Sequence, residues 1–149
     1  MIASASPLPA QTDLSALKFN AWLVVVVTAL ALLSRLPALT LGLGAAMLLG
    51  ALMPQRSVLR AAYRMLGPRV GLTPEVVAED PRAHHFAQGV GGSFLLASGL
   101  LSLSGLWVAA TVLGLTVMAL ALLNLSQKIC VGCLMYFQFR RLRYALLGR

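Results

Sequence analysis

From Leu14 to Leu33 the chain runs for twenty residues with a single charged side chain, Lys18, and from Trp107 to Leu125 it runs for nineteen with none. Runs of this length and apolarity are what a helix needs to cross a hydrocarbon core about 30 Å thick. Two more apolar stretches lie between them, at about 38–53 and 85–105. Only 11% of the residues are charged and 59% are hydrophobic, too few charges to cover a soluble globule and too much apolar surface for a disordered chain. The expectation is an all-α integral membrane protein with four transmembrane helices in two hairpins.

Punctuation between the runs supports that division. Residues 1–13 have no apolar period and read as a flexible tail, without the features of a cleaved signal peptide. Ser34-Arg35-Leu36-Pro37 breaks the first run, because Pro disfavours helix at the residue before it. The second run is short for a bilayer. It carries Gly42, Ala46 and Gly50 at fourth-residue spacing, and the third carries Gly89, Ser93 and Ala97, two stripes on which a neighbouring helix could pack closely. Ser104-Gly105 marks the turn into the fourth run. The membrane domain is expected over 14–139, followed by a basic C-terminal tail at 140–149, with the stretch from Phe137 onward reading as a second surface helix.

Between the second and third runs, residues 55–70 place Arg56, Arg60 and Arg64 on one helical face and Leu59, Ala62, Tyr63 and Leu66 on another. This pattern predicts a basic amphipathic helix on the membrane surface, with anionic lipid headgroups at the three arginines. The excess of 12 Lys and Arg over 4 Asp and Glu is not accompanied by a nucleic-acid motif, so no nucleic-acid partner is expected. With four spans, 11 of the 12 basic residues fall on one side and only Arg35 on the other. Positive loops stay cytoplasmic, so both termini are expected there.

The chemistry-bearing residues lie on that same side. Cys130 and Cys133 are the only cysteines, and random placement would give this spacing only about once in 75. A Cys-x-x-Cys pair can close a disulfide, hold a metal, or pack as two inert thiols. Lys128 and a helix restarting after it would both stabilise a thiolate. A reducing cytoplasm favours a cycling dithiol over a permanent bridge. His84 and His85 stand at the start of the third run, where a short hairpin would bring them towards Cys130 and Cys133, and two His with two Cys are a zinc ligand set. No span contains a carboxylate, so no proton relay of the transporter kind is visible. Phosphate loops and nucleophile elbows are also absent from the sequence. A non-catalytic accessory subunit, or a homo-oligomer, packing through the small-residue faces is a further reading.

The segment Lys128-Ile129-Cys130-Val131-Gly132-Cys133-Leu134-Met135-Tyr136 resembles the signature of a bacterial membrane family, domain of unknown function 4395, as does Asp80-Pro81-Arg82 through Phe86-Ala87. The resemblance extends over roughly 14–138. It implies a small helical protein of the bacterial inner membrane whose last span ends in Cys-x-Gly-Cys. The family usually has an aromatic residue where this chain has Ile129 and a basic one where it has His85, so the resemblance does not imply a shared His ligand. Some members look to be encoded beside thioredoxin-like or sulfur-transfer proteins, which implies a partner of that kind and thiol or sulfur chemistry at Cys130 and Cys133. Gly132 would let the backbone bend or approach closely between the two thiols.

Overall fold

A computed structural model describes residues 11–148. Six α-helices account for most of them: α1 (Leu14–Ser34), α2 (Pro37–Leu52), α3 (Val58–Leu66), α4 (Pro81–Leu103), α5 (Trp107–Gln127) and α6 (Val131–Leu147). Among the described residues the fold is all-α apart from one two-residue ladder, in which β1 (Thr12–Asp13) pairs antiparallel with β2 (Val76–Val77). Helices α1, α4 and α5 are each long and apolar enough to cross a membrane, whereas α2 has 16 residues and is apolar but shorter.

Local chemistry explains where each helix begins and ends. The Asp13 carboxylate caps α1, accepting from Ser15 N at 2.9 Å and Ala16 N at 3.4 Å. Arg35 then turns left-handed, with φ 53°, and Pro37 opens α2 from its first turn. Ser57 caps α3 and Asp80 caps α4, with Pro81 again in the first turn. Gly105, at φ 80°, makes the turn from α4 into α5 that a side chain would strain. Lys128, left-handed at φ 54°, ends α5.

Packing follows a ring: α1 lies against α2 and α5, and α4 against α2 and α5. Leu95 is fully buried at its centre with Val24, Leu43, Met47 and Val117 around it. The tightest approach is between α2 and α4, where a Cβ on Gly44 would come within 2.9 Å of the Gly92 carbonyl oxygen, and one on Gly92 would come equally close to that of Gly44. The outward faces remain apolar: Leu33 is 84% exposed and Val108 81%. A soluble protein does not leave such a surface uncovered, and a bilayer covers it.

The structure corrects several expectations. Residues 1–10 of the expected tail lie outside the described residues, but Thr12 and Asp13 are held against residues 75–79. Leu14 N donates to the Glu75 carbonyl at 2.8 Å and the Thr12 hydroxyl to that of Glu79 at 2.9 Å. Polar side chains that also cap a helix explain why a segment without apolar period is tied down. The amphipathic helix is shorter than 55–70. It spans Val58–Leu66, between 3-10 turns at Pro54–Arg56 and Gly67–Val70, because Pro54 and Pro68 remove helix donors. Its Leu59 and Tyr63 are buried while Arg56, Arg60 and Arg64 are exposed. The helix expected from Phe137 onward is the later part of α6, which begins at Val131 and runs unbroken to Leu147. The small-residue stripe on α2 meets α4 only in part: a Cβ on Gly42 would meet nothing within 4 Å, one on Gly50 would come within 2.7 Å of the Gln88 side chain, and Gly44, outside the stripe, makes the close backbone contact.

Candidate functional site

The site forms where α6 starts across the first turns of α4. Lys128 stops α5, and Cys130, itself extended, becomes the N-cap of α6. The Cys130 sulfur accepts the backbone N–H of Cys133 at 3.3 Å. This is the position at which an exposed helix N–H and the positive end of the helix dipole favour an anion. Gly132 permits the crossing, since a Cβ there would sit 2.5 Å from the Ala87 Cβ and 2.8 Å from its Cα. Aromatic rings secure the same contact further along, with Phe86 and Tyr136 centroids 5.7 Å apart.

Helix α4 contributes His84. Its Nδ1 lies 3.4 Å from the Cys133 sulfur, and its Nε2 lies 3.2 Å from a Glu79 carboxylate oxygen. The ligand atoms of His84, Cys130 and Cys133 all lie within 4.8 Å of one another. His85 is not part of this cluster. It lies with Arg60, Tyr63 and Gln88 along a cavity whose lining includes neither cysteine, and its buried Nδ1 has no hydrogen-bond partner. Consecutive helix positions point about 100° apart, so one helix start cannot direct both imidazoles at the same sulfurs.

The two thiols differ electrostatically. The Cys130 thiol is drawn down to about 5, chiefly because Cys133 donates a hydrogen bond to its sulfur, with His84 adding to the pull and burial opposing it. Cys133 is displaced upward, since it keeps the proton it donates to Cys130 and is itself partly buried. The pair therefore combines a thiolate with a protonated neighbour, the asymmetry that a dithiol needs for attack and resolution.

Both sulfurs line a cavity of about 590 Å³ whose rim carries Lys18, Glu79, Asp80 and Lys128. Glu79 is the site residue that sequence reasoning missed, because its role depends on the loop before α4 folding back over α1. The reach of Lys18 to Glu75, at 3.1 Å, is part of that same loop contact.

No curated protein and no solved structure matches this chain. A family described as a domain of unknown function, DUF4395, matches residues 12–141, a span that includes the helix ring, the loop carrying Glu79 and both cysteines. The chain is thus a member of the DUF4395 family.

Proposed function

We propose that Cys130 and Cys133 cycle between dithiol and disulfide, with Cys130 as the attacking sulfur and Cys133 as the resolving one. The observation that carries this reading is the Cys130 sulfur at the N-terminus of α6, accepting the Cys133 N–H at 3.3 Å. Thiol–disulfide exchange requires a thiolate within reach of a second sulfur, and a helix N-terminus supplies the stabilisation. A thioredoxin-like or sulfur-transfer protein is the proposed partner, entering through the cavity rimmed by charged side chains.

The membrane arrangement belongs to the same proposal. Helices α1, α2, α4 and α5 cross a bacterial inner membrane as two hairpins, and both termini face the cytoplasm. Eleven of the 12 basic residues then lie on the cytoplasmic side. Helix α3 rests on that surface with Arg56, Arg60 and Arg64 among anionic headgroups. The domain is residues 14–139, and the basic end of α6 extends along the interface.

Thiol trapping of native membranes across a series of redox potentials tests the chemistry. A single two-electron transition involving both cysteines is expected, and thiols that neither react nor pair would overturn it. A second reading has the 4.8 Å cluster of His84, Cys130 and Cys133 in its favour. These residues offer three ligands of a tetrahedral zinc site, with the fourth position open. Stoichiometric zinc in gently extracted protein, lost on Cys130→Ser, is the result that this reading requires.

A further inference from the structure

A third cavity, of about 240 Å³, shares Cys130, His84 and Asn124 with the one lined by both cysteines but extends the other way. It runs from Cys130 and Gly132 at the start of α6 to Phe94 and Thr116, midway along α4 and α5. Its walls are mainly apolar, with Val90, Val117, Leu120 and Ala121 among them, and contain no Asp, Glu, Lys or Arg. Apart from Thr116, whose hydroxyl is spent on the Val112 carbonyl, its polar side chains gather towards the end near the sulfurs: His84, Asn20, Gln88 and Asn124. The Asn20 Oδ1 is buried without a hydrogen-bond partner.

We propose that this cavity binds a lipid-soluble quinone, and that the quinone oxidises the Cys130–Cys133 dithiol. The inference rests on the dithiol reading above and adds the oxidant. A charged phospholipid headgroup would find no counterion in this lining, and burying an unpaired charge is costly. A quinone carries no charge. Its carbonyls accept hydrogen bonds from amide and imidazole donors, and the hydroxyls of its reduced form can donate to an orphan acceptor such as Asn20 Oδ1. Its apolar tail matches a channel leading to the middle of the spans. Cavities of this kind, apolar with a few convergent polar groups, are the usual form of a small-molecule site.

The reaction balances. The S–S bond forms between Cys130 and Cys133. The thiolate–thiol pair gives up two electrons and the proton of Cys133, and the quinone takes these up with a second proton from water to become a quinol. A reduced thioredoxin-like partner then restores the dithiol through the polar cavity, becoming a disulfide itself. Cys130 forms part of the wall of both chambers, so one sulfur meets both co-reactants.

The test uses the full-length protein, reduced, in anaerobic proteoliposomes, with decylubiquinone and the soluble oxidant dipyridyl disulfide as separate probes. Quinone absorbance and free thiols are followed together. The proposal requires one quinone reduced for each dithiol lost, and none with Cys130→Ser. Val90→Phe and Ala121→Phe, which fill the channel, should slow the quinone reaction about tenfold or more while leaving oxidation by dipyridyl disulfide at the wild-type rate. That second rate also shows that each variant is folded. Oxidation by dipyridyl disulfide without quinone reduction, or quinone reduction unaffected by both fillings, overturns the quinone site while the dithiol reading stands. If neither probe produces a disulfide, the dithiol reading has failed and the quinone proposal falls with it.

Discussion

Gly132 of α6 packs on Ala87 of α4 so closely that a Cβ on Gly132 would lie 2.5 Å from that of Ala87. The backbone of Ala87 is also within reach, at 2.8 Å for its Cα, so no side-chain rotation relieves the clash. This contact brings the sulfurs of α6 to the imidazole of α4. Gly132→Ala should cost about 1–3 kcal/mol of stability and move α6 away from His84. Thermal unfolding in detergent measures the first effect and thiol alkylation the second. Unchanged values in both would mean that α6 does not depend on this crossing.

The Cys130 thiol is held near 5 by the proton that Cys133 donates to it, with support from His84. The thiolate is the nucleophile, and its population rises as pH rises through this value. Alkylation of the reduced protein should therefore fall off below about pH 5 and change little between about pH 6 and 8, apart from a slow contribution of Cys133. In Cys133→Ala the main donor is gone, and the midpoint should move up towards the ordinary thiol range. Iodoacetamide rates across pH decide this. A wild-type midpoint in the ordinary range would remove the electrostatic basis for Cys130 as the attacking sulfur.

His84 reaches the sulfurs with one ring nitrogen and Glu79 with the other. His84→Ala should raise the Cys130 midpoint and slow alkylation at pH 6 several-fold. His85→Ala should leave both unchanged, since His85 lies outside the cluster of His84 and the two sulfurs and lines a cavity that includes neither cysteine. Equal effects from the two substitutions would contradict the separate placement of these neighbouring residues.

The contrast between these histidines shows where sequence reasoning reaches its limit. Chain order and a short turn suffice to bring residues 84–85 near 130–133, because α4 and α5 are consecutive and packed together. They do not set the rotation of α4 about its own axis, which decides that His84 rather than His85 faces the sulfurs. The same limit applies to α2. A small residue at every fourth position was legible, and Gly50 of that stripe does meet Gln88 of α4, yet the tightest backbone approach is at Gly44, off the stripe, while Gly42 meets nothing. An almost uniformly apolar helix contains no pattern that marks its inward face. Helix ends were more legible at Pro37 and Gly105, which act locally, whereas α4 begins at Pro81, capped by Asp80, four residues before the expected run. The fold-back of 71–79 over the start of α1 was not legible, since it depends on backbone pairing across more than sixty residues.

The rotation of α2 has a direct test. At Gly44 and Gly92 an added side chain meets backbone atoms of the facing helix at 2.9 Å, whereas at Gly42 it meets nothing. Gly44→Leu and Gly92→Leu should lower the melting temperature in detergent or prevent folded protein from accumulating, and Gly42→Leu should do neither. The expected penalty at the close-packed positions is about 1–3 kcal/mol or more. A melt in which Gly42→Leu is the most damaging would place the opposite face of α2 against α4.

Helix α2 also decides the topology, since with 16 residues it spans only about 24 Å. That is shorter than a hydrocarbon core of about 30 Å, and a helix in this position must thin the bilayer or lie partly buried among its neighbours. Its tight packing on α4 favours the second course, because α4 supplies contacts that lipid need not provide. If α2 crosses, the turn at Leu36 and the helix at Arg64 lie on opposite sides of the membrane. At the Leu36 end, the Arg35 guanidinium stacks over Trp107 at 5.7 Å, leaving the one basic residue of that side at the ring of an interfacial aromatic. In a chain carrying Cys130→Ser and Cys133→Ser, Leu36→Cys should react with an impermeant maleimide from the periplasm and Arg64→Cys only after the membrane is opened. Both positions are exposed, so accessibility does not limit either reaction. Labelling of both from the same side would mean that α2 returns without crossing, and the cysteine pair would then lie on the opposite side of the membrane from the N-terminus.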